Sequence, residues 1–405
     1  MLLALEFAGI GVVNGSVLAF LAVYASRIGA SSSQIGLISA IPALISLLVA
    51  LPAAQWIAKR SLKKSVVVSA VAYRFYYLIL VFIPFLGLPL HQIWMIIAVT
   101  FIVSMPGTIL SISFNAFFAE TVPAEWRAHV SGSRSAAFSI TNIVFTILCG
   151  VLLQSIPLPT GYQIVFGIGF LGALFSTVIL SLIQLPDNTN AVGQSNNVDT
   201  PIPNTFVSQQ NVRSKHIPGF DLRFDILRSS YLKYLVLMFI FHLFVFIPSP
   251  VFPLFMVKEL YLSDFTISVG MAVFYIAVFL GSIKLSRLTR RLGNKKVMGI
   301  GAAAMSTYPL FLAINAGILP FLAASFFGGF AWALAGGTMY NYILEKVPTD
   351  DKPGYLAWYN MVYNAALLIA SISGGLIGNY IGLAAAIILF GIGRILSGLF
   401  ILRWG

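Results

Sequence analysis

Residues 55–64 read QWIAKRSLKK and form a strongly basic turn between two long apolar runs. The run before the turn covers residues 35–57, and the run after it covers residues 66–87. A helix needs about 20 mostly apolar residues to cross the hydrocarbon core of a bilayer. Both runs are long enough, and Lys and Arg are typical of the ends of membrane-spanning helices. This stretch therefore predicts a helical hairpin that crosses a membrane twice.

The same pattern continues along the chain, where 59% of the 405 residues are hydrophobic. Only 9% are charged, against roughly 25% in a soluble domain, which excludes a soluble globular protein, a disordered chain and a nucleic-acid-binding protein. The fold class predicted is an all-α membrane protein with twelve transmembrane helices. The runs, numbered here as spans one to twelve, cover residues 3–26, 35–57, 66–87, 92–118, 133–156, 162–185, 231–256, 267–288, 297–315, 318–344, 355–379 and 383–402.

The basic residues predict the orientation, because Lys and Arg accumulate in cytoplasmic loops. Nineteen of the 24 lie in turns on one side, and the opposite side has only Arg27 and Lys258. We therefore expect a multi-pass protein of the cytoplasmic (plasma) membrane with both termini cytoplasmic. The remaining three fall inside spans and are expected to extend their charges to the membrane surface: Arg74, Lys284 and Arg394.

Three regions follow from the composition: a six-helix bundle over residues 1–186, a cytoplasmic linker over 187–230 and a second six-helix bundle over 231–405. The first part of the linker is rich in Asn, Gln, Ser and Thr and buries too little apolar surface to fold alone. Its end, residues 219–228, reads GFDLRFDILR. This segment is either a short interfacial helix or a few anchoring residues before span seven.

The two halves repeat each other. The basic turn after span two has a counterpart after span eight, SRLTRRLGNKK at residues 286–296. The end of span four, ETVPAEWR at residues 120–127, has a counterpart after span ten, EKVPTDDK at residues 345–352. Two parallel six-helix repeats joined by a linker are typical of one large class of transporters.

With these motifs the chain resembles the major facilitator superfamily over its whole length. The family signature after the second helix is Gly-x-x-x-Asp-Arg-x-Gly-Arg-Lys, and residues 27–37, RIGASSSQIGL, resemble the usual link between the first two helices. The resemblance implies two pseudo-symmetric bundles that rock around a central cavity, which opens alternately to each side; it implies no particular substrate. Matching positions are Arg60, Lys63, Lys64, Arg291, Gly293 and Lys295, and departures are Gln55, Lys59, Leu62, Ser286, Arg290 and Asn294.

Polar side chains inside the spans mark either a cavity or a contact between helices. By resemblance, spans one, two, four, five, seven, eight, ten and eleven face the cavity. Packing is the better-supported interpretation for Ser and Thr, while for the amides cavity lining and helix contacts remain equally open; Trp332 either stacks on substrate or packs. The candidate substrate-binding residues are Asn14, Ser111, Asn115, Asn142, His242, Trp332, Asn341, Asn360 and Asn364.

Two residues are candidates for proton coupling, and no Asp or Glu lies in the middle of a span. His242 lies near the middle of span seven and titrates near neutrality. The alternative is a neutral imidazole bonded to a carbonyl that Pro248 or Pro250 frees. Glu6 is the second candidate and is expected to reach water from the start of span one.

A cytoplasmic gate is implied by the resemblance, since acid–base contacts join helix ends in the family while that side is shut. Lys59 and Arg290 replace the signature Asp, so the gate is expected to be weak. The alternative is a set of solvated pairs worth roughly 0–1 kcal/mol each. The gate candidates are Arg60, Lys63, Lys64, Glu120, Arg127, Arg291, Lys295 and Glu345.

The motifs that are missing from the sequence narrow the function further. The sequence has no phosphate-binding Gly-rich loop and no metal-spaced His/Cys cluster, so we expect no enzyme, cofactor or metal. The prediction is a monomeric secondary transporter that moves a small neutral or amphiphilic organic molecule through the lipid bilayer by alternating access. Protons are a candidate coupling ion, the coupling itself is left open, and export is slightly favoured over uptake. The alternatives are a lipid flippase, an uncoupled facilitator and a non-transporting receptor.

Overall fold

The computed structural model describes residues 1–184, 223–314, 317–348 and 352–405. Within these ranges the regular structure is helical, and eleven helices are long and apolar enough to cross a membrane. The predicted all-α membrane fold is therefore confirmed. Most of the predicted linker, residues 187–222, lies outside the described residues.

The first half contains spans one to six. Ser31 fixes the start of span two, because its hydroxyl accepts from the Gln34 backbone N–H while the Gln34 side chain accepts from the Ser31 N–H. Span one contains one π-helical turn between two α-helices. The bounds are Leu2–Val13, Asn14–Leu18 (π) and Ala19–Arg27 for span one, then Ser32–Ala58, Leu62–Phe82, Pro89–Thr121, Arg127–Ser155 and Thr160–Leu182 for spans two to six.

The second half contains spans seven to twelve, of which seven and nine are interrupted. Span nine consists of Asn294–Ala304 and Thr307–Ala313, because Pro309 has no N–H for the Met305 carbonyl and its ring crowds that carbonyl. Each piece alone is too short to cross a membrane, which explains eleven long helices instead of twelve. The other bounds are Tyr231–Phe246, Val251–Leu254 and Phe255–Glu259 (π) for span seven, then Asp264–Leu292, Ile318–Leu344, Lys352–Ile381 and Leu383–Trp404 for spans eight, ten, eleven and twelve.

An even number of spans places both chain ends on one face, called here the terminal face. The basic turns after spans two and eight lie at this face. The other face, called here the opposite face, carries the ends of span one at Arg27 and of span seven at Glu259.

The halves contact each other through span two on span eleven and span five on span eight. Near the opposite face the backbones approach closely, since a Cβ atom at Gly375 would lie 2.6 Å from the Ser32 carbonyl oxygen. Within the first half, span one packs on spans five and six. In the second half, span seven packs on spans eleven and twelve. Spans one and seven also contact each other near the opposite face, so both border the space between the halves.

The described end of the linker is a short 3₁₀ turn, Phe224–Arg228. Ile226 is fully buried in the apolar core of the second half, whereas Phe224 is exposed. Residues 223–230 therefore anchor the chain before span seven, and the 3₁₀ turn is their only helical structure.

Candidate functional site

A cavity of about 710 Å³ lies inside the first half. Its wall is mostly aromatic and aliphatic, with hydroxyl and amide groups on span four. Three of the lining residues are charged: Glu6 on span one, Arg74 on span three and Arg134 on span five. The polar and aromatic lining residues include Phe7, Tyr73, Tyr76, Tyr77, Ser104, Thr108, Ser111, Phe114 and Asn115.

The three charges form one cluster at the cavity wall. The Arg134 Nη2 lies 3.3 Å from the Glu6 Oε2. The Ser176 hydroxyl donates to the Glu6 Oε1 at 3.0 Å, and the Arg74 Nη2 donates to the Ser176 Oγ at 3.2 Å. Spans one, three, five and six thus meet at a single carboxylate.

Arg134 also lies among three aromatic rings. Its guanidinium carbon is 4.5 Å from the Phe7 ring centroid, 4.7 Å from Phe114 and 5.2 Å from Phe118. Attraction between a cation and an aromatic face strengthens when water is excluded. The rings therefore hold the guanidinium in place without using its N–H donors.

This cluster corrects three expectations from the sequence. Glu6 does not lie at the protein surface, because it is only 4% exposed, and Arg74 does not extend to the surface, because it is only 6% exposed. Arg134 is one of the nineteen basic residues predicted in turns on one side, yet it lies inside the fifth helix, which begins at Arg127. An apolar run ends at the first charged residue, so a helix predicted from it is too short and omits the charged turns at its ends. Three ionisable residues within a few turns of helix ends were the available signal.

A second cavity of about 530 Å³ lies mainly in the second half. Leu18 lines both cavities, so they meet at the π-helical turn of span one. Few helices contain a π-helical turn, and those turns often lie at functional sites. The wall of the second cavity includes Asn14, Phe246, Phe252, Phe274, Tyr275, Tyr308, Phe321, Trp332 and Arg394.

Arg394 is bonded to backbone carbonyls. Its Nε donates to Phe244 at 3.1 Å, its Nη2 to Val245 at 2.8 Å and its Nη1 to Met305 at 3.0 Å. The expected extension of this side chain to the surface is wrong, since it is only 5% exposed.

Proline explains why those carbonyls are available. The helical partners of Phe244 and Met305 are the residues four positions on, Pro248 and Pro309, which have no N–H. The Val245 carbonyl is free because the Ser249 N–H bonds to Phe246 instead. Arg394 therefore satisfies backbone groups that breaks in spans seven and nine expose.

Some of the predicted substrate-binding residues line one of the two cavities, and the others line neither. Ser111 and Asn115 line the first cavity, and Asn14 and Trp332 line the second. The others line neither cavity: Asn142, His242, Asn341, Asn360 and Asn364.

Two of these are buried in the membrane interior. Asn142 is fully buried beside Tyr275, and neither of its amide atoms reaches a partner with hydrogen-bond geometry. The His242 Nδ1 lies 2.7 Å from the Met238 carbonyl, so it is the protonated nitrogen. The Nε2 lies 3.4 Å from the Tyr359 hydroxyl. The predicted bond to a carbonyl freed by Pro248 or Pro250 is wrong, because His242 bonds one turn earlier in its own helix.

Polar contacts close the space between the halves at the opposite face. Arg27 pairs with Asp264 at 3.0 Å and donates to the Leu262 carbonyl. The Asn379 amide donates to the Ser33 hydroxyl at 2.7 Å. The sequence pattern places Arg27 and Ser33 in the link between spans one and two but predicts none of these contacts.

At the terminal face, none of the predicted gate pairs lies within ion-pair distance among the described residues. Glu345 accepts from the Asn294 side chain at 2.7 Å, and Arg127 donates to the carbonyls of Ala119 and Val122. Glu120 is exposed. The gate stays a prediction, because the resemblance implies it only while that face is shut.

Comparisons with known proteins agree with this architecture. The model of the Major Facilitator Superfamily matches residues 3–232 and 234–405. The nucleoside transporter NupG is similar in structure at 14% identity and a TM-score of 0.69, covering 100% of this chain and 98% of that chain. The D-xylose-proton symporter is similar at 15% identity and a TM-score of 0.70, covering 100% and 95%.

A bacterial homologue of the iron transporter ferroportin in the inward-facing state is similar at 15% identity and a TM-score of 0.69, covering 98% and 96%. No curated protein matches the sequence. Identities this low show a shared fold and not a shared substrate. The chain therefore belongs to the Major Facilitator Superfamily and is a secondary transporter rather than an enzyme.

Proposed function

We propose that this transporter carries a small amphiphilic organic molecule through the space where the two cavities meet. The observation that carries the proposal is the shared wall at Leu18, in the π-helical turn of span one. Contacts between the halves close the opposite face. At the terminal face, no ion pair joins the predicted gate residues in the described part of the chain. This arrangement corresponds to one of the two end states that alternating access requires.

The orientation and the domain division belong to the same proposal. The terminal face is cytoplasmic, because the basic turns lie there, so this state opens to the cytoplasm. The rocking units are residues 1–186 and 231–405, joined by a linker over residues 187–230.

The chemistry of the walls supports an amphiphile. The second cavity offers aromatic rings and Met side chains, with few polar atoms. The first cavity combines aromatic rings with hydroxyl and amide groups. Export remains the expected direction; because alternating access is reversible, the gradients across the membrane set the net flow.

Glu6 is the proposed proton-coupling residue, because it lines a cavity and His242 lines neither. The groups that face the Glu6 carboxylate are Arg134 from span five, Ser176 from span six and Arg74 from span three. Tyr73 and Tyr77 flank Arg74. Opening of the cavity to one side or the other would change the access of water to this cluster.

A disulfide across the opposite face tests alternating access. We place cysteines at Ser33 and Asn379, whose side chains touch, in a Cys149→Ser background. Proteoliposomes are loaded with a library of small organic compounds, and release is followed by mass spectrometry. Oxidation is expected to stop transport and reduction to restore it.

Two outcomes of this experiment would contradict the proposal. Transport that continues after complete cross-linking contradicts alternating access through this face. Absence of transport in the reduced protein, with fluorescent lipid crossing the bilayer, supports the flippase alternative instead.

Orientation is tested by cysteine labelling with an impermeant reagent. Ser32 is a poor reporter because it is only 1% exposed, but Leu88 and Tyr261 are exposed on the opposite face. Cysteines at these two positions should react from outside the cell, and a cysteine at Ser61 should not. The buried Cys149 gives a silent background.

A further inference from the structure

We propose that Arg74 and Arg134 bind an acidic group of the cargo, so that the transported molecule is a small organic anion with an apolar body. The inference rests on the proposed function, since it places the acidic end of the transported molecule in the first cavity. It narrows the neutral or amphiphilic cargo predicted from the sequence to an acidic amphiphile.

Charge balance is the first argument. Two guanidinium groups and one carboxylate are the charged groups among the residues that line the first cavity. The wall therefore carries one excess positive charge on side chains that are largely buried. A charge buried without a partner is unfavourable, and a singly charged anion would neutralise it.

The use of N–H donors is the second argument. An arginine has five N–H donors. In the described residues Arg74 makes one hydrogen bond, to Ser176, and its Nε is buried without a partner. Arg134 bonds Glu6 through Nη2, and its Nε is also without a partner. A carboxylate accepts two parallel bonds from one guanidinium, so these arginines retain the donors that such a ligand needs.

The surroundings of the cluster define the rest of the molecule. Phe7 and Phe114 stand beside Arg134, and Tyr73 and Tyr77 stand beside Arg74. A chain or ring next to the acidic group would contact these side chains. A single excess charge favours a monocarboxylate over a multiply charged phosphate ester.

Glu6 occupies part of the site in this state. Its carboxylate accepts from Arg134 and Ser176, as an acidic ligand would. It therefore competes with a bound anion, and its removal makes the wall more positive. Substitutions of Glu6 and of the arginines should thus change anion affinity in opposite directions.

The test measures binding apart from transport. The full protein is placed in nanodiscs of a zwitterionic lipid, so that no lipid headgroup supplies the anion. Thermal stabilisation is measured with aliphatic and phenyl carboxylates and with their neutral amides. Carboxylates should stabilise the protein and amides should not; Arg134→Gln and Arg74→Gln should each weaken binding by roughly tenfold or more. Glu6→Gln should strengthen binding.

Lys284→Gln is the matched control, because Lys284 is exposed on the surface of span eight. It should leave the affinity unchanged. Equal stabilisation by acids and amides, or weaker binding in Glu6→Gln as in the arginine variants, would overturn the anion site. Transport of amides without carboxylate binding would leave the transporter proposal standing, whereas carboxylate binding without any transport would leave only the site.

Discussion

Arg394 in the second half and Arg74 in the first are buried to the same degree, 5% and 6% exposed, yet they differ in what their donors contact. Arg394 donates to three carbonyls from two broken helices. Arg74 donates to one hydroxyl beside a cavity. Burial of an arginine therefore does not identify a binding site; the number of unused donors next to open space does.

The largest expected effect concerns stability. Arg394→Gln leaves carbonyls in spans seven and nine without donors, and we expect a loss of about 3 kcal/mol in the free energy of unfolding. Arg74→Gln removes a charge with one hydrogen bond and should cost about 0–1 kcal/mol. Thermal unfolding in one detergent compares the two. Equal losses would contradict the distinction between a structural and a ligand-binding arginine.

A double-mutant cycle sharpens the role of Arg394. Pro248→Ala supplies an N–H to the Phe244 carbonyl, so that Arg394→Gln should be less damaging in this background by about 1 kcal/mol. Pro106→Ala, in span four of the other half, is the matched control. Strictly additive losses with both prolines would show that the freed carbonyl is not what Arg394 stabilises.

Much of the fold was readable from the sequence, and little of the charge chemistry was. Apolar runs and basic turns determine the spans because the bilayer imposes both. The repeat after spans two and eight gave the two halves. The contact of Glu6 with Arg134 joins residues far apart in the chain, and no periodicity encodes it. Pro309 is compatible with a break in span nine, but only the packing of span twelve shows that Arg394 bonds the carbonyl that the break leaves free.

A smaller effect is expected where the halves meet at the opposite face. Asp264→Asn removes the ion pair with Arg27, whose side chains are 23% and 13% exposed. A partly exposed pair is worth about 1 kcal/mol, so the population open to this face should rise roughly fivefold. This population is measured by placing a cysteine at Leu18 and following its rate of labelling by a reagent applied from the opposite face. Glu259→Gln removes an exposed carboxylate at the end of span seven, on the same face, and should leave the rate unchanged.

An unchanged rate in Asp264→Asn would show that the Arg27–Asp264 ion pair does not hold the face closed. In that case Gly375→Ala, which forces a Cβ against the Ser32 carbonyl, should open it instead. The two variants separate polar from steric closure.

The smallest expected effect belongs to His242, and it extends the comparison from arginines to the groups that could carry a proton. Its Nδ1 donates to the Met238 carbonyl, its Nε2 faces Tyr359, and it lines neither cavity. Gln can keep the first bond, so His242→Gln should lose about 1 kcal/mol of stability at most. Because the imidazole lines neither of the two cavities, accumulation driven by a pH gradient should persist in this variant. Glu6→Gln should abolish accumulation while substrate exchange continues. The reverse result in proteoliposomes would assign the proton to His242 and leave Glu6 as a partner of Arg134 alone.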